Sequence, residues 1–287
     1  MIGVSPAYFI SRYGDRFTPA EVADGMAAVA QLGCKGFQLE VYHREMLGQW
    51  LNGGAQWVRQ RSLDLDLAAT QFVAHFVMGA FADKKGLNSG SELDDMQIVL
   101  EIVSRFNECR TITVPLGTFE PGPTCGRDDY RMFFERCTEK IGDLLEMVEK
   151  SGCRMALEIM PAAIIGGVDG FIRLCEQLDT DSLGLNFDTG HAWAAKENLY
   201  LIPAKLGRHI LGTHLCDNFG HENLSLRPGA GSIDWPRIIN ALQTVEYTGS
   251  YDLEIICRPD EVKQEYGKGY AFINDQLNQS TLRQDIP

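Results

Sequence analysis

Four residues with side chains that bind metal ions each end a different hydrophobic segment of the sequence. Glu158 ends MALE, Asp188 ends LGLNFD, His214 ends ILGTH and Glu254 ends YDLE. A hydrophobic run that ends in a carboxylate or imidazole is costly to bury unless the polar group finds water or a binding partner. Three carboxylates and one imidazole suit a divalent ion of intermediate hardness. If these segments are neighbouring parallel strands, the sequence predicts one shared metal site at their carboxyl ends.

The two glutamates of this set also suggest a reaction. Two carboxylates beside a bound polyol form an acid/base pair if one removes a proton next to a carbonyl and the other returns a proton to the opposite face. A metal ion acting as a Lewis acid would stabilise the enediolate that forms between the two steps. We therefore predict Glu158 and Glu254 as catalytic residues.

The ligand set has simpler interpretations when each residue is taken alone. Glu158 could cap a helix or form an ion pair, and Asp188 could cap the helix that follows its strand. A single histidine such as His214 is more often a packed core residue than a ligand. Asp217 and Asn218 follow His214 closely, and we expect them to orient its ring.

Further polar residues follow the same strand ends. Glu40 lies at the end of the second predicted strand and His43 just beyond it, His75 ends the third, and His191 lies three residues after Asp188. We interpret Glu40, His43 and His75 as substrate contacts, with packing or support of the ligands as the alternative. His191 is predicted to bind either the metal or a substrate oxygen.

Arg227 lies in the segment LRPGAGSIDW. Its guanidinium could hold a hydroxyl, a carboxylate or a phosphate of the substrate. The alternative is an arginine on a solvated loop. Aromatic residues near the same strand ends are interpreted as pocket or core residues, namely Trp50, Phe76 and Trp193.

Strand-like and helix-like patterns alternate eight times along the chain, which predicts an α/β fold with a single (β/α)8 TIM barrel. Active sites of this fold lie at the carboxyl ends of the strands. Thr18 and Asp234 are predicted helix N-caps. No GxGxxG motif follows the first strand, which argues against a dinucleotide-binding sheet. The predicted strands are 2–9, 36–41, 67–76, 111–116, 154–159, 183–188, 210–215 and 251–256. The predicted helices are 19–32, 44–62, 91–107, 128–151, 168–179, 191–206, 235–246 and 260–277.

Composition limits the class of protein and its partners. The chain has 287 residues, 45% of them hydrophobic, and a net charge of −13. Such an acidic chain is expected to bind neither nucleic acid nor an anionic membrane surface. No apolar run reaches the roughly 18 residues that a membrane span needs. The first residues do not resemble a signal peptide, and the eight cysteines form no CxxC pair, so we predict a cytoplasmic protein.

Six segments together resemble the xylose isomerase-like TIM-barrel superfamily, and in particular its sugar phosphate isomerase/epimerase branch. This branch includes the ketose 3-epimerases and the inosose isomerases and dehydratases. The resemblance covers nearly the whole chain and implies one TIM-barrel domain over residues 1–287. The segments are GFQLEVY, MALEIMP, LGLNFDTGHAW, LGTHLCDN, RPGAGSIDW and YDLEI.

The resemblance also implies roles for the site residues. In the 3-epimerases the metal ligands correspond to Glu158, Asp188, His214 and Glu254, and both glutamates are also catalytic. A substrate-binding histidine of that family corresponds to His191. The substrate-binding arginine corresponds to Arg227 only loosely, because the distance from His214 along the sequence is longer here.

The family resemblance also implies a cofactor and an assembly. Mn²⁺ is the implied metal ion, with Mg²⁺ or Co²⁺ as alternatives, and homodimers and homotetramers are common in the superfamily. Endonuclease IV belongs to the same superfamily, but its three-zinc site needs a histidine after the fourth strand and an Asp-x-His pair after the seventh. The corresponding segments here read PLGT and SIDW. We therefore do not expect a nuclease.

Three functions remain open at this point. The leading prediction is a divalent-metal-dependent isomerase or epimerase of a ketose or keto-polyol. The second is a lyase of the same superfamily that uses the same enolate: an inosose- or dehydroshikimate-type dehydratase, or the subunit of a C-glycoside-cleaving enzyme that acts on a 3-keto sugar. The third is a sugar-binding barrel without turnover.

Overall fold

The computed structural model describes residues 1–284 and contains an eight-stranded parallel sheet in the order β7-β6-β5-β4-β3-β2-β1-β8. A parallel bridge between Leu215 and Leu253, with a 3.1 Å hydrogen bond from Glu254 N to Leu215 O, links the two ends of the sheet. The predicted (β/α)8 TIM barrel is therefore confirmed. Its strands are β1 Ile2–Val4, β2 Gly36–Glu40, β3 Ala68–Val73, β4 Thr111–Leu116, β5 Arg154–Ile159, β6 Leu183–Asp188, β7 Ile210–His214 and β8 Tyr251–Leu253.

Helices connect the strands and cover the outside of the barrel. They are α1 Ala7–Tyr13, α2 Pro19–Gln31, α3 Ala55–Asp64, α4 Lys84–Leu87, α5 Ser91–Val103, α6 Arg127–Lys150, α7 Val168–Leu178, α8 Thr189–Ala194, α9 Ile202–Leu206, α10 Trp235–Thr244 and α11 Val262–Gln284. Short helical turns occupy Arg44–Met46, Leu47–Gln49, Trp50–Gly54, His75–Phe81 and Gly207–His209. None of the helices within residues 1–284 is both long and apolar enough to cross a membrane.

Both predicted N-caps are present. Thr18 and Glu21 exchange hydrogen bonds at the start of α2, where Glu21 N donates to Thr18 Oγ1 (3.3 Å) and Thr18 N donates to Glu21 Oε2 (2.7 Å). Asp234 accepts a hydrogen bond from the backbone N–H of Arg237 at the start of α10. Each cap satisfies a backbone donor that the first turn of a helix leaves without a partner.

The predicted first and third strands are too long. The segment 2–9 is a strand only to Val4, and Ala7 then begins α1. The segment 67–76 is a strand only to Val73, so the prediction that His75 ends this strand is wrong, and His75 begins a 3-10 turn. Both segments are short apolar runs. Such a run can be buried either as a strand or as a helix, and its hydrophobic periodicity does not distinguish the two.

Two predicted helices are interrupted. The segment 44–62 contains a kink at Asn52 and Gly53, and Gly53 has a φ of +100°, which an α-helix cannot include. The segment 191–206 forms α8 and α9 with a turn between them, in which Lys196 has a positive φ. The predicted eighth strand, 251–256, ends at Leu253, so Glu254 follows the strand directly.

The core lies inside the barrel and between the strands and the helices. Phe37, Phe72 and Phe187 are fully buried on three different strands. Cys34 and Cys109 are buried as well, and the cysteines of the described residues are free thiols. The predicted domain extends to residue 287, and residues 285–287 lie outside the described part of the chain.

Candidate metal centre and active site

The structure brings the four predicted ligands together at the carboxyl ends of neighbouring strands. Glu158 lies on β5, Asp188 and His214 end β6 and β7, and Glu254 follows β8. One ligand atom from each residue lies within 4.8 Å of the corresponding atoms of the other three. This spacing allows all four atoms to contact a single cation. The parallel register of β6 and β7, which pairs Asp188 with His214, contributes directly to this arrangement.

His214 is held in a defined orientation by two residues on other strands. Its Nε2 lies 2.8 Å from Gln38 Oε1, and Gln38 Nε2 donates to Asp252 Oδ2 (2.8 Å). Because the amide oxygen of Gln38 only accepts hydrogen bonds, Nε2 of His214 carries a proton. Nδ1 is therefore the nitrogen that can bind a cation, and it lies 3.0 Å from Glu158 Oε1 and 3.2 Å from Glu254 Oε2.

The expectation that Asp217 and Asn218 orient His214 is wrong. Asp217 accepts a hydrogen bond from Trp235 Nε1 (2.8 Å), and Asn218 Nδ2 donates to the backbone oxygen of Gly190 (2.9 Å). These residues organise the loop between β7 and α10 instead. Gln38 takes the orienting role because its side chain reaches His214 through the interior of the barrel, a proximity that the sequence spacing does not reveal.

Asp188 caps a helix, and it has a second oxygen available for the ligand role that the sequence suggested. Its Oδ1 accepts a hydrogen bond from the backbone N–H of His191 (2.8 Å) and so caps α8. Its Oδ2 is buried and has no hydrogen-bond partner among residues 1–284. Since a carboxylate has two oxygens, Asp188 can cap the helix with one and bind a cation with the other.

The electrostatics of the cluster fit a divalent cation. Glu254 Oε2 and Asp188 Oδ2 are buried, and neither accepts a well-formed hydrogen bond within the described residues. Their charged neighbours are His214 Nδ1 at 3.2 Å and His191 Nε2 at 3.7 Å, and a buried carboxylate oxygen of this kind is costly unless a cation contacts it. Burial raises the pKa of Asp188 to about 6. Burial also opposes the charged form of His214, but the carboxylates of Glu254 and Glu158 outweigh it and raise the pKa of the imidazole well above its usual value. In the absence of a metal ion, a proton on His214 thus partly supplies the positive charge that these carboxylates need.

His191 lies beside the four ligands. Its Nε2 is 3.7 Å from Asp188 Oδ2 and 3.9 Å from Glu158 Oε1. Its Nδ1 lies 3.3 Å from the amide nitrogen of Asn223, which donates to it. This contact leaves the proton on Nε2, which faces the carboxylates and the cavity.

A cavity of about 210 Å³ opens next to the ligands, and α1 supplies part of its wall. The predicted residues Glu40 and His75 line it, whereas Arg227 is not among the lining residues and lies 3.1 Å from Glu265 on α11. His43 lies 3.0 Å from Asp15. The polar lining residues are Glu40, Tyr42, His75, Glu158, His191, His214 and Glu254, and the apolar ones are Pro6, Ala7, Ile10, Val73, Met160 and Ile256.

Four residues of the site were missed in the sequence: Gln38, Tyr42, Asn223 and Asp252. Two of them had a detectable signal. Gln38 precedes Glu40 by two positions, and Asp252 precedes Glu254 by two positions, so each lies on the same face of its strand as a predicted site residue. Polar residues on the inner face of a barrel strand need partners there. Asn223 lies in a long loop and carried no such signal.

Comparisons with known proteins agree with this fold. Uncharacterized protein MJ1311 of Methanocaldococcus jannaschii is 26% identical over 144 residues, which are 48% of this chain and 49% of that protein, so the match spans about half the length of this relative. The structure of an L-ribulose 3-epimerase superposes with a TM-score of 0.76 at 15% identity and 99% and 97% coverage of the two chains. The structure of the IolI protein with a bound zinc atom gives 0.75 at 14% identity and 97% coverage of both.

A family model covers most of the chain. The model described as xylose isomerase-like TIM barrel matches residues 26–276, which include all four candidate ligands and the cavity residues from β2 to Ile256. The chain therefore belongs to the xylose isomerase-like TIM-barrel family.

Proposed function

We propose that this protein is a divalent-metal-dependent isomerase or epimerase of a ketose or keto-polyol. The observation that carries the proposal is the set of four ligand atoms within 4.8 Å of one another at the edge of a cavity. A metal ion held by these residues would supply Lewis-acid stabilisation of negative charge on substrate oxygen atoms. The similarity to an L-ribulose 3-epimerase and to a zinc-binding barrel supports the proposal.

In this proposal Glu158 and Glu254 act as the acid/base pair. Both line the cavity and both lie within 3.2 Å of His214 Nδ1. Burial opposes ionisation of Glu254, but the charge of His214 outweighs it and lowers the pKa of the Glu254 carboxyl below its usual value. Glu254 is therefore ionised at neutral pH and able to accept a proton from the carbon next to a carbonyl. Glu158 would return a proton to the opposite face of the resulting enediolate.

His191 is proposed to bind a substrate oxygen. Asn223 keeps the proton of its ring on Nε2, which faces the cavity. A donor in this position would orient a substrate hydroxyl or carbonyl against the carboxylates, and orientation of this kind accounts for a large part of enzymatic rate enhancement. The role of Arg227 in substrate binding stays a prediction from the sequence.

Mn²⁺ is the proposed metal ion, with Mg²⁺ or Co²⁺ as alternatives and Zn²⁺ suggested by the bound zinc of the IolI structure. Three carboxylates with one imidazole form a harder ligand set than the cysteine-rich sites that select zinc. Elemental analysis of the purified protein should find one ion per chain. Three zinc ions per chain would contradict the single-ion site.

The reaction is tested by isotope exchange. The Mn²⁺-loaded protein is incubated with a panel of ketoses and keto-polyols in D2O, and the products are followed by NMR. An isomerase or epimerase incorporates deuterium at one carbon and forms a new sugar. A lyase instead produces the ultraviolet absorbance of a conjugated carbonyl. Binding without either signal would indicate a sugar-binding barrel and would overturn the proposal.

Two proposals concern the cell and the assembly. We propose a cytoplasmic location, which the free cysteines support, because thiols persist in a reducing compartment. A homodimer or homotetramer is proposed from the family resemblance alone. The mass of the particle in solution, measured by light scattering, decides between these assemblies and a monomer.

A further inference from the structure

A second group of polar residues lines the cavity on the half of the barrel that supplies no metal ligand. It consists of Glu40 at the end of β2, Tyr42 just after it, and His75 after β3, and we call it the distal cluster. His75 Nδ1 lies 3.4 Å from Glu40 Oε1, and the rings of Tyr42 and His75 stack with their centres 3.9 Å apart and their planes 17° apart. The stack and the carboxylate hold the imidazole from two sides.

Glu40 places a buried carboxylate in this cluster. It is 3% exposed, and its Oε2 is buried with no hydrogen-bond partner among the described residues. A buried carboxylate oxygen in this condition is costly to keep. Burial accordingly raises the pKa of Glu40, while His75 opposes the shift. Since Glu40 lines the cavity, a ligand that enters the cavity can supply the missing hydrogen bond.

His75 has one nitrogen left for a ligand. Its Nδ1 faces Glu40, so Nε2 is the nitrogen available to the cavity that His75 lines. An imidazole nitrogen and a carboxylate oxygen side by side match two hydroxyl groups of a polyol, because a hydroxyl both donates and accepts.

The charge of the cavity is unsuited to an anionic substituent. Three carboxylates line it, those of Glu40, Glu158 and Glu254, and among the side chains of residues 1–279 its lining contains no lysine or arginine. Arg227, the predicted candidate for binding an anion, is paired with Glu265. The four carboxylates of Glu40, Glu158, Asp188 and Glu254 exceed the two charges of a bound divalent cation. A phosphate group in the metal-loaded site would therefore still meet like charge, which is unfavourable in a desolvated site.

The N-terminus of a helix in a neighbouring cavity is also occupied. Helix N-termini commonly bind phosphate, and the backbone N–H of Val168 at the start of α7 would be such a donor. This N–H donates instead to Glu197 Oε1 (3.1 Å). Glu197 and the N-terminus of α7 line a neighbouring cavity of about 240 Å³ that adjoins Asp188. The protein's own carboxylate thus occupies the N-terminus of α7, where a phosphate could otherwise bind.

We propose that the distal cluster selects the substrate. Glu40 and His75 bind hydroxyl groups remote from the reacting carbon. Together with the carboxylates that line the cavity, they restrict the site to uncharged polyols and exclude phosphate esters. This inference rests on the proposed function and specifies its substrate class. Glu40 accepts a hydrogen bond from one hydroxyl, His75 binds a neighbouring hydroxyl through Nε2, and Tyr42 maintains the plane of the imidazole.

The experiment compares matched pairs of a free ketose and its phosphate ester in the D2O exchange assay with Mn²⁺-loaded protein. For the unmodified protein, kcat/KM is expected to be higher for the free ketose. For Glu40→Gln, kcat/KM for the free ketose is expected to fall about 10- to 100-fold, which corresponds to the loss of a hydrogen bond to a charged group. The preference for the free ketose over the ester is expected to shrink, since the substitution removes one negative charge.

His75→Gln provides a second variant, and His209→Gln provides its control. His209 directly precedes β7, so it lies at the amino ends of the strands, whereas the cavity lies at their carboxyl ends. His75→Gln should weaken binding of the free ketose, whereas His209→Gln should not. Elemental analysis and the unfolding midpoint establish that each variant keeps its metal ion and its fold. The proposal would be overturned if the ratio of kcat/KM for the free ketose to kcat/KM for the ester were unchanged in both Glu40→Gln and His75→Gln. A preference of the unmodified protein for the ester would overturn it as well.

A binding measurement separates this inference from the proposed function. If no ketose exchanges deuterium, the proposed isomerase activity fails, but calorimetry with a hexitol and the corresponding hexitol phosphate still tests the distal cluster. Tighter binding of the hexitol, weakened by Glu40→Gln, supports the cluster as a hydroxyl site. Tighter binding of the phosphate contradicts it.

Discussion

The two halves of the barrel differ in how their strands end. In the half formed by β5 to β8, each strand runs into a residue of the candidate ligand set. The predicted bounds of β5, β6 and β7 agree with the observed ones to within one residue, whereas the predicted β8 extends three residues beyond Leu253. In the other half, the predicted β1 and β3 ran past the true ends, where the chain forms α1 and a 3-10 turn. A charged residue marks the end of a buried strand because it must leave the apolar interior. An apolar run without such a residue indicates only burial.

The polar residues at the two ends of the cavity differ as well. In the half formed by β5 to β8, which we call the metal half, three carboxylates surround His214. Two of them keep a buried oxygen without a hydrogen-bond partner in the described chain. On the distal half, Glu40 has one histidine partner and one unpartnered oxygen. The first arrangement suits a multivalent cation, whereas one or two hydroxyl groups would suffice for the second.

The largest expected effect comes from the metal half. Glu254→Gln keeps the size of the side chain but removes its ability to accept a proton, so we expect turnover to fall by about a thousandfold. The D2O exchange assay measures this loss. Glu120→Gln, an exposed residue in the loop after β4, serves as the control and should retain full activity. Substantial exchange in Glu254→Gln would rule out its acid/base role and weaken the contrast between the two halves.

The residue that orients His214 provides a second test. Gln38→Leu removes the hydrogen bond to His214 Nε2, and we expect Mn²⁺ affinity to fall about 10- to 100-fold, as is typical when a residue that orients a metal ligand is lost. Gln71→Leu is the matched control, because Gln71 is also buried inside the barrel but hydrogen bonds to Asn186 and Thr113. Titration with Mn²⁺ should distinguish the two variants. Equal Mn²⁺ affinities of the two variants would show that Gln38 contributes only to the stability of the fold.

The pH dependence of metal binding should arise only from residues of the metal half, namely His214 and Asp188. A ligand must lose its proton to bind a cation. In the metal-free protein the pKa of His214 is well above its usual value and that of Asp188 is about 6. Affinity for Mn²⁺ should therefore rise between pH 6 and 8, by about tenfold per pH unit for each proton released.

Calorimetry in buffers of different ionisation enthalpy measures this proton release. His75→Gln should leave the slope unchanged, because His75 lies in the distal cluster and is not a ligand. A slope that disappears in His75→Gln would assign the released proton to the distal cluster instead.

The smallest effects are expected at the helix caps, one in each half. Thr18→Ala and Asp234→Ala each remove a hydrogen bond at the start of a helix, and each should lower the free energy of unfolding by about 1 kcal/mol. Denaturant unfolding measures both. Because Asp234 ends the loop that contains Asn223, only its variant is expected to alter KM. An equal effect of both variants on KM would show that this loop does not hold His191 in place.

The sequence by itself determined the barrel, and it singled out the residues that the structure brings together at one end of it. They are the four candidate ligands with Glu40, His75 and His191, each marked by a polar group at or near the end of an apolar run. Only the tertiary structure decided that Gln38 rather than Asp217 orients His214, that Arg227 pairs with Glu265, and that Glu40 retains an unpartnered oxygen. These contacts join residues far apart in the sequence. Closure of the barrel sets such distances, and local patterns report burial and periodicity but not which distant partner a buried polar atom meets.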